Sequence, residues 1–217
     1  FAIEHGSIKI INWFIKNNID INRKNVINTT ADVKAAIYNK LIVLYFLIKK
    51  DLDINLEISL INSARCGYIS IVKLLLENIA DKNVENRYIG QALIDAVRNR
   101  HKNTVQFLLN YEKMGEEKHV DEKNKKNDET EKSNEKDYYL KNALIYAVKN
   151  GDIEIVKLLL ENKANVNGKD NGNWTVLMYA AKSGYKDIVK LLLDYGAKVD
   201  KKDNEGKTAV ITQQMMK

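Results

Sequence analysis

The triplet Gly206, Lys207, Thr208 is where a nucleotide-binding loop would declare itself, because such loops wrap phosphates in backbone N–H groups and end in this way. The loop also needs a glycine five residues before Gly206, and that position is Lys201, with no strand leading into it. Metal chemistry finds no better footing: His5, His101 and His119 are far apart, and none has a second His or Cys at ligand spacing. Asp170, Asn171, Gly172 and Asn173 lack the alternating acids and closing Glu of a calcium loop. Cys66 is the single cysteine, cannot close an intramolecular disulfide, and reads as a small inert side chain suited to a reducing compartment. Asp152, Glu154 and Asp187 fall at helix starts, where the helix dipole accounts for them without a catalytic role. The expectation is a chain with no catalytic residues, no cofactor and no metal.

What the chain does contain is repetition. GDIEIVKLLLENKANVN begins at Gly151 and GYKDIVKLLLDYGAKVD at Gly184, which is 33 residues later. Such a fixed period marks an architecture of stacked units, each unable to bury its apolar face alone. With Gly184 as the ruler, the matching positions are Gly151, Arg100, Gly67, Asn39 and Gly6, and a further unit begins at Asp203. Each unit reads as two short helices and a turn. In TVLMYAAKSG, Thr175 is placed to cap a helix that Ala180 and Ala181 favour, and Gly184 supplies the left-handed stop. The next helix carries Ile188, Val189, Leu191, Leu192 and Leu193, more than one apolar stripe, so neighbours must enclose it.

The run DNGNWTVLMYAAKSGYKDIVKLLLDYGAKVDKKDNEGKTA resembles ankyrin repeats. The match is close over 138–212, good over 60–109 and degenerate over 1–55. The resemblance implies an all-α fold, an α-solenoid of stacked helix-turn-helix repeats with short β-hairpin fingers. Departures from the family pattern are specific. Its proline is replaced by Val176, Ala209, Ala143, Ala92 and Ala31, and its histidine by Met178 and Ile145, which weakens the hydrogen bonding expected there. Asp32 stands where an apolar Leu is expected. From Asn39 to Gly67 is only 28 residues, which predicts a finger trimmed to a plain loop.

Net charge is +6, from 35 bases and 29 acids. Residues 112–137 hold ten of the acids and seven of the bases, so the rest of the chain stands at +9. That segment, with almost no apolar residues, cannot pack a core and is expected to be a flexible or loosely helical loop. The organisation expected is therefore repeats over 1–111, a charged insert over 112–137, and repeats with a partial capping unit over 138–217. The most apolar run, residues 41–48, is far short of the roughly 20 residues of a membrane helix. No signal peptide is visible, which suggests a cytoplasmic protein or one delivered into a host cell. Phe1 falls in mid-unit, leaving room for repeats or an active domain before it.

If the family places partners on the first helices and fingers, the residues to watch follow from the ruler. Just before it stand Arg65, then Arg98 and Asn99, Lys149 and Asn150, Lys182 and Ser183. The fingers add Arg87 and Tyr88, then Tyr138, Tyr139 and Lys141, then Asn171, Trp174 and Lys207. Cations beside Tyr and Trp suit an acidic protein surface. The function expected is a monomeric, non-enzymatic protein-binding module without membrane contact. One alternative is the targeting or regulatory part of a larger enzyme or secreted effector. A weaker one is a groove for single-stranded nucleic acid.

Overall fold

The computed structural model describes residues 2–21, 29–50, 52, 54–79, 86–118 and 128–210, with side chains described in all of these except 86, 112–118 and 128–134. Among them are eleven helices: α1 (Ile8–Lys16), α2 (Ala31–Ile37), α3 (Leu41–Lys49), α4 (Leu56–Arg65), α5 (Ile69–Ile79), α6 (Asn86–Arg98), α7 (Lys102–Lys118), α8 (Asp128–Asn150), α9 (Ile153–Glu161), α10 (Val176–Lys182) and α11 (Lys186–Asp194). The chain divides into two compact units, Phe1–Asp95 and Ala96–Lys217, with the division inside α6. No described helix is long and apolar enough to cross a membrane.

The repeat register is written into the backbone. Every described residue with positive φ falls into one of three columns. The first holds Gly6, Asn39, Gly67, Arg100, Gly151 and Gly184, the six ruler positions read from the sequence. Asn18, Lys163 and Gly196 lie twelve residues further on, and Asn173 and Gly206 twenty-two. Each marks a point where the chain must reverse, between paired helices, after the second helix, or at a finger tip. A side chain there costs about 1–2 kcal/mol. Asn39 and Arg100 hold the same conformation as their glycine counterparts, so tertiary stacking outweighs that local penalty.

In the first unit α2 packs on α3 and α4, and α5 on α3 and α4, around buried Leu44, Leu47, Leu60, Ile71, Leu75 and Leu76. In the second, α8 packs on α9 and α10, α10 on α11, and α9 on α7 and α11, around Leu108, Leu144, Ile155, Leu159 and Leu192. Each pairing follows from helices too short to persist alone.

Asp152 caps α9 by accepting the Ile155 N–H at 3.1 Å. Thr175 caps α10 as expected, its Oγ1 accepting the Met178 N–H at 3.3 Å. The Thr175 N–H in turn donates to the Met178 sulfur at 3.4 Å. Methionine thus completes the cap with a soft, weak acceptor.

Asp32, in the first turn of α2, is fully buried and accepts the Ser59 hydroxyl from α4 at 2.8 Å. A polar pair therefore replaces the apolar contact usual at that level. α3 and α4 are joined by residues 50–55, with Asn55 capping α4 through the Ile58 N–H at 2.9 Å.

Two fingers are fully described. The first closes with an antiparallel bridge between Lys169 and Thr175, and the second with the Asp203 N–H donating to the Lys207 carbonyl at 3.0 Å. They are tied together: Asn173 Nδ2 donates to Asn204 Oδ1 at 2.5 Å, and Lys169 Nζ to the Lys202 carbonyl at 2.9 Å. The Gly206-Lys207-Thr208 triplet belongs to the second finger, where Asp203 Oδ1 accepts the Lys207 N–H at 2.8 Å.

The charged insert is entered by helix from both sides. α7 continues to Lys118 and α8 starts at Asp128, so residues 112–118 and 128–137 are helical. Lys and Glu are good helix formers, and the chain has no proline to stop them. The rest of the insert, 119–127, lies outside the described residues, as does the end of the capping unit, 211–217.

Candidate protein-binding face

One contact recurs from repeat to repeat. In four of the five steps between ruler positions, the residue two before one position reaches the residue five before the next; the step from Asn39 is the exception, with Ile37 two before it. Glu4 meets Lys34 at 3.0 Å, and Arg65 meets Asp95 through Nη2 at 2.7 Å and Nε at 3.0 Å. In the second unit the acceptor becomes a ring: Arg98 lies 4.8 Å from the centre of Tyr146, and Lys149 lies 4.3 Å from that of Tyr179. The helical pitch explains the rule, because residues three apart share a face, so each helix presents one group outward to its neighbour and one inward from it.

These contacts divide the cations expected to meet a partner. Arg65 faces a nearly buried carboxylate, to which Gln91 also donates at 3.4 Å, so its charge is largely neutralised within the stack. Arg98 and Lys149 are held over aromatic faces, which fix the direction of each side chain. Lys182 also lies over a ring, but that of Trp174 in the finger of its own repeat, at 5.1 Å.

Trp174, Tyr179 and Asp170 anchor this face. The two rings are 5.2 Å apart, and the Tyr179 hydroxyl donates to Asp170 Oδ2. Asp170 Oδ1 accepts the N–H groups of Gly172 and Trp174, each at 2.9 Å, which folds the finger back onto α10. Burial works against the Asp170 charge, but the Tyr179 hydroxyl, those two N–H groups and the nearby Lys149 outweigh it and hold its carboxyl below the usual 3.8. Burial and the facing carboxylate together push the Tyr179 hydroxyl well above its usual 10.0, so it remains a donor.

The sign of the pH effect follows. A carboxyl with a lower pKa folded than unfolded adds stability above its unfolded value, and loses it as pH falls through the folded one. Asp170→Asn is expected to lower the melting temperature at neutral pH, and the difference from the unsubstituted chain is expected to shrink as pH falls below the usual carboxyl value of 3.8. Melting curves of both proteins across that range provide the check.

The remaining expected residues are placed as follows. Asn150 donates to the Val97 and Arg98 carbonyls at 3.0 and 3.2 Å, and its own carbonyl accepts from Arg100 at 2.7 Å, so it ties α8 to the end of α6. Tyr138 and Tyr139 pack edge to face at 5.3 Å, with Lys141 Nζ 5.4 Å from the Tyr138 ring. Arg87 and Tyr88, in the first turn of α6, hold one another through a 2.9 Å hydrogen bond. Lys207 pairs with Glu205 at 2.6 Å. Asn99, Asn171 and Ser183 are exposed.

The face thus brings together Arg98, Lys149, Lys182 and Trp174 with two rings the sequence reading passed over, Tyr146 and Tyr179. Their signal was present: Tyr-x-x-Lys occurs at 146–149 and again 33 residues later. No group of three or more His, Cys, Asp or Glu side chains among the described residues is arranged to hold a metal ion.

Helix pairs that recur at one spacing along the chain, with hairpin fingers described between the last of them, define a helical repeat protein. A family described as ankyrin repeats (3 copies) matches residues 1–86, 33–122 and 113–203. The chain belongs to the ankyrin repeat family. No curated protein matches the sequence. Among solved structures, the chain is similar to the ankyrin repeat domain of Bcl-3, a member of the IkappaB protein family, with a TM-score of 0.71 and 20% identity over 97% of this chain and 91% of that one. At that identity the likeness shows the fold, an all-α solenoid of ankyrin repeats. Ankyrin repeats are a non-enzymatic protein–protein interaction module.

Proposed function

We propose that this chain binds an acidic surface of a partner protein through the face built from the end of α6, α8, α10 and the finger at 168–175, without cofactor or catalysis. The observation that carries the reading is the series of cations seated on rings, Arg98 on Tyr146, Lys149 on Tyr179 and Lys182 on Trp174. Positive charges fixed before contact attract an acidic partner and lose little side-chain freedom on binding. The rings supply the apolar area that charges alone lack. The nucleic-acid alternative needs ring faces for bases to stack on, and each of these three rings already carries a cation on one face.

Affinity capture with the triple variant Arg98→Glu, Lys149→Glu, Lys182→Glu tests the reading. Reversal at three central positions is expected to weaken capture of the partner at least about tenfold. A matched melting temperature shows that the variant remains folded. A partner retained equally by both proteins places binding on another face.

A further inference from the structure

A second surface, in the first unit and independent of the face above, is marked by the residues at positions that every repeat leaves open. The residue three after the ruler is exposed in all six repeats, and in five of them it is polar: Lys9, Ser70, Asn103, Glu154 and Asp187. In α3 it is Ile42, 73% exposed. Six after the ruler the other repeats carry an amide or a lysine, and α3 carries Tyr45, 50% exposed. Leu41 is exposed beside them. Leu41, Ile42, Tyr45 and Lys49 share one side of the helix, at the three- and four-residue steps that bring side chains together. Stacking makes no use of this stripe, because Val43, Leu44 and Leu47 supply the buried side of α3.

The charge around the stripe has one sign. α1 and α3 contain no acid, whereas α5, α7, α9 and α11 each contain at least one. Lys49 and Lys50 are exposed at the end of α3, and Lys9 and Lys16 are exposed on α1 at the places equivalent to Ile42 and Lys49. The two helices start close together, since a Cβ on Gly6 would lie 3.7 Å from Lys40 Cδ. Lys49 Nζ lies 5.6 Å from the centre of the Tyr45 ring, and Lys50 Nζ 5.5 Å from that of Phe46. Lysines beside aromatic rings on the rim of an apolar stripe suit the headgroup layer of a bilayer, where both residue types concentrate.

Charge and shape separate the occupants that an apolar stripe could take. A second copy docked by the same stripe about a two-fold axis would bring the lysines of both copies together. A partner helix lies in a groove, whereas Ile42 stands out from the surface with most of its area open. A bilayer surface needs no groove, and anionic headgroups match the acid-free helices.

We infer that the first unit binds the surface of an anionic membrane through α3, with Leu41 and Ile42 entering the acyl boundary, Tyr45 at the level of the headgroups, and Lys9, Lys16, Lys49 and Lys50 on the lipid anions. The expectation of no membrane contact came from the lack of a spanning segment, and surface contact requires none. So few apolar side chains fall short of a lipid anchor, so binding is reversible and depends on charge, each lysine near the surface adding about fivefold.

Sedimentation of the 217-residue chain with vesicles of phosphatidylcholine and phosphatidylserine, mixed three to one, provides the test. The chain is expected to bind these vesicles and to bind pure phosphatidylcholine at least about tenfold more weakly. Ile42→Ser with Tyr45→Ser is expected to weaken binding at least about tenfold while keeping the melting temperature, since both residues are exposed. Two triple variants of equal net charge separate place from charge. Lys9→Gln, Lys16→Gln, Lys49→Gln is expected to bind at least about tenfold more weakly than Arg98→Gln, Lys149→Gln, Lys182→Gln. Equal binding by the two triple variants overturns the inference, because net charge then suffices, and so does full binding by the Ile42, Tyr45 variant. Failure to bind either vesicle also overturns it, and a dimer that the Ile42, Tyr45 variant dissolves would assign the stripe to a second copy. None of these results touches the proposed function, whose test rests on Arg98, Lys149 and Lys182.

Discussion

Leu159→Ala is expected to reduce the unfolding free energy by about 2–5 kcal/mol. Leu159 is fully buried in α9, a nine-residue helix that packs on α7, α8 and α11. A helix of that length is marginal in water, so its stability comes from those three contacts rather than from its own hydrogen bonds. Truncation leaves a cavity at a junction of several helices, whose other side chains are held by their own repeats and can close it only in part. In a stack where each repeat leans on its neighbours, the loss spreads to adjacent helices. Urea denaturation reads the magnitude. Hydrogen exchange should show faster opening in α8 and α11 as well as α9, and an effect confined to α9 contradicts the stacking account.

Gly151→Ala is expected to destabilise by about 2–4 kcal/mol, from two separable causes. Gly151 has φ of 71°, where a side chain costs about 1–2 kcal/mol. In addition, a Cβ there would sit 2.8 Å from Tyr185 Cζ, because the tyrosine ring lies across the glycine. Gly184 supplies the control, with φ of 70° and nothing within 4 Å of a built Cβ. Gly184→Ala should therefore show the conformational cost alone, and the difference between the two variants measures the Tyr185 contact. Equal effects in both would mean that the ring moves aside freely.

The parts of the fold that depend on local chemistry were legible in the sequence. Gly184 reads as a left-handed stop, and the positions aligned with it hold the same positive φ, Asn39 and Arg100 included, where residue type alone gives no reason for it. Thr175 read as a cap and is one. Orientation across repeats was less legible, because it depends on which face of a helix meets the next. Arg65 and Arg98 look alike in the sequence, yet one faces the carboxylate of Asp95 and the other the ring of Tyr146. The difference lies in a residue thirty positions away in one case and forty-eight in the other. Asn150 likewise had the right type and position for a partner contact, and its amide is turned inward to the end of α6. The polarity of the insert predicts a flexible or loosely helical loop, and because polarity governs burial and not backbone conformation, helices α7 and α8 extend into it from both sides.

These placements converge on one claim, that the ring-seated cations of the second unit form the recognition surface. Hydrogen exchange of the chain with and without its captured partner tests it most directly. The account predicts slowed exchange at residues 146–150, 171–174 and 179–183, with α9 and α11 unchanged on their exposed sides. Protection confined to α9 and α11, with those three segments unaffected, would contradict it.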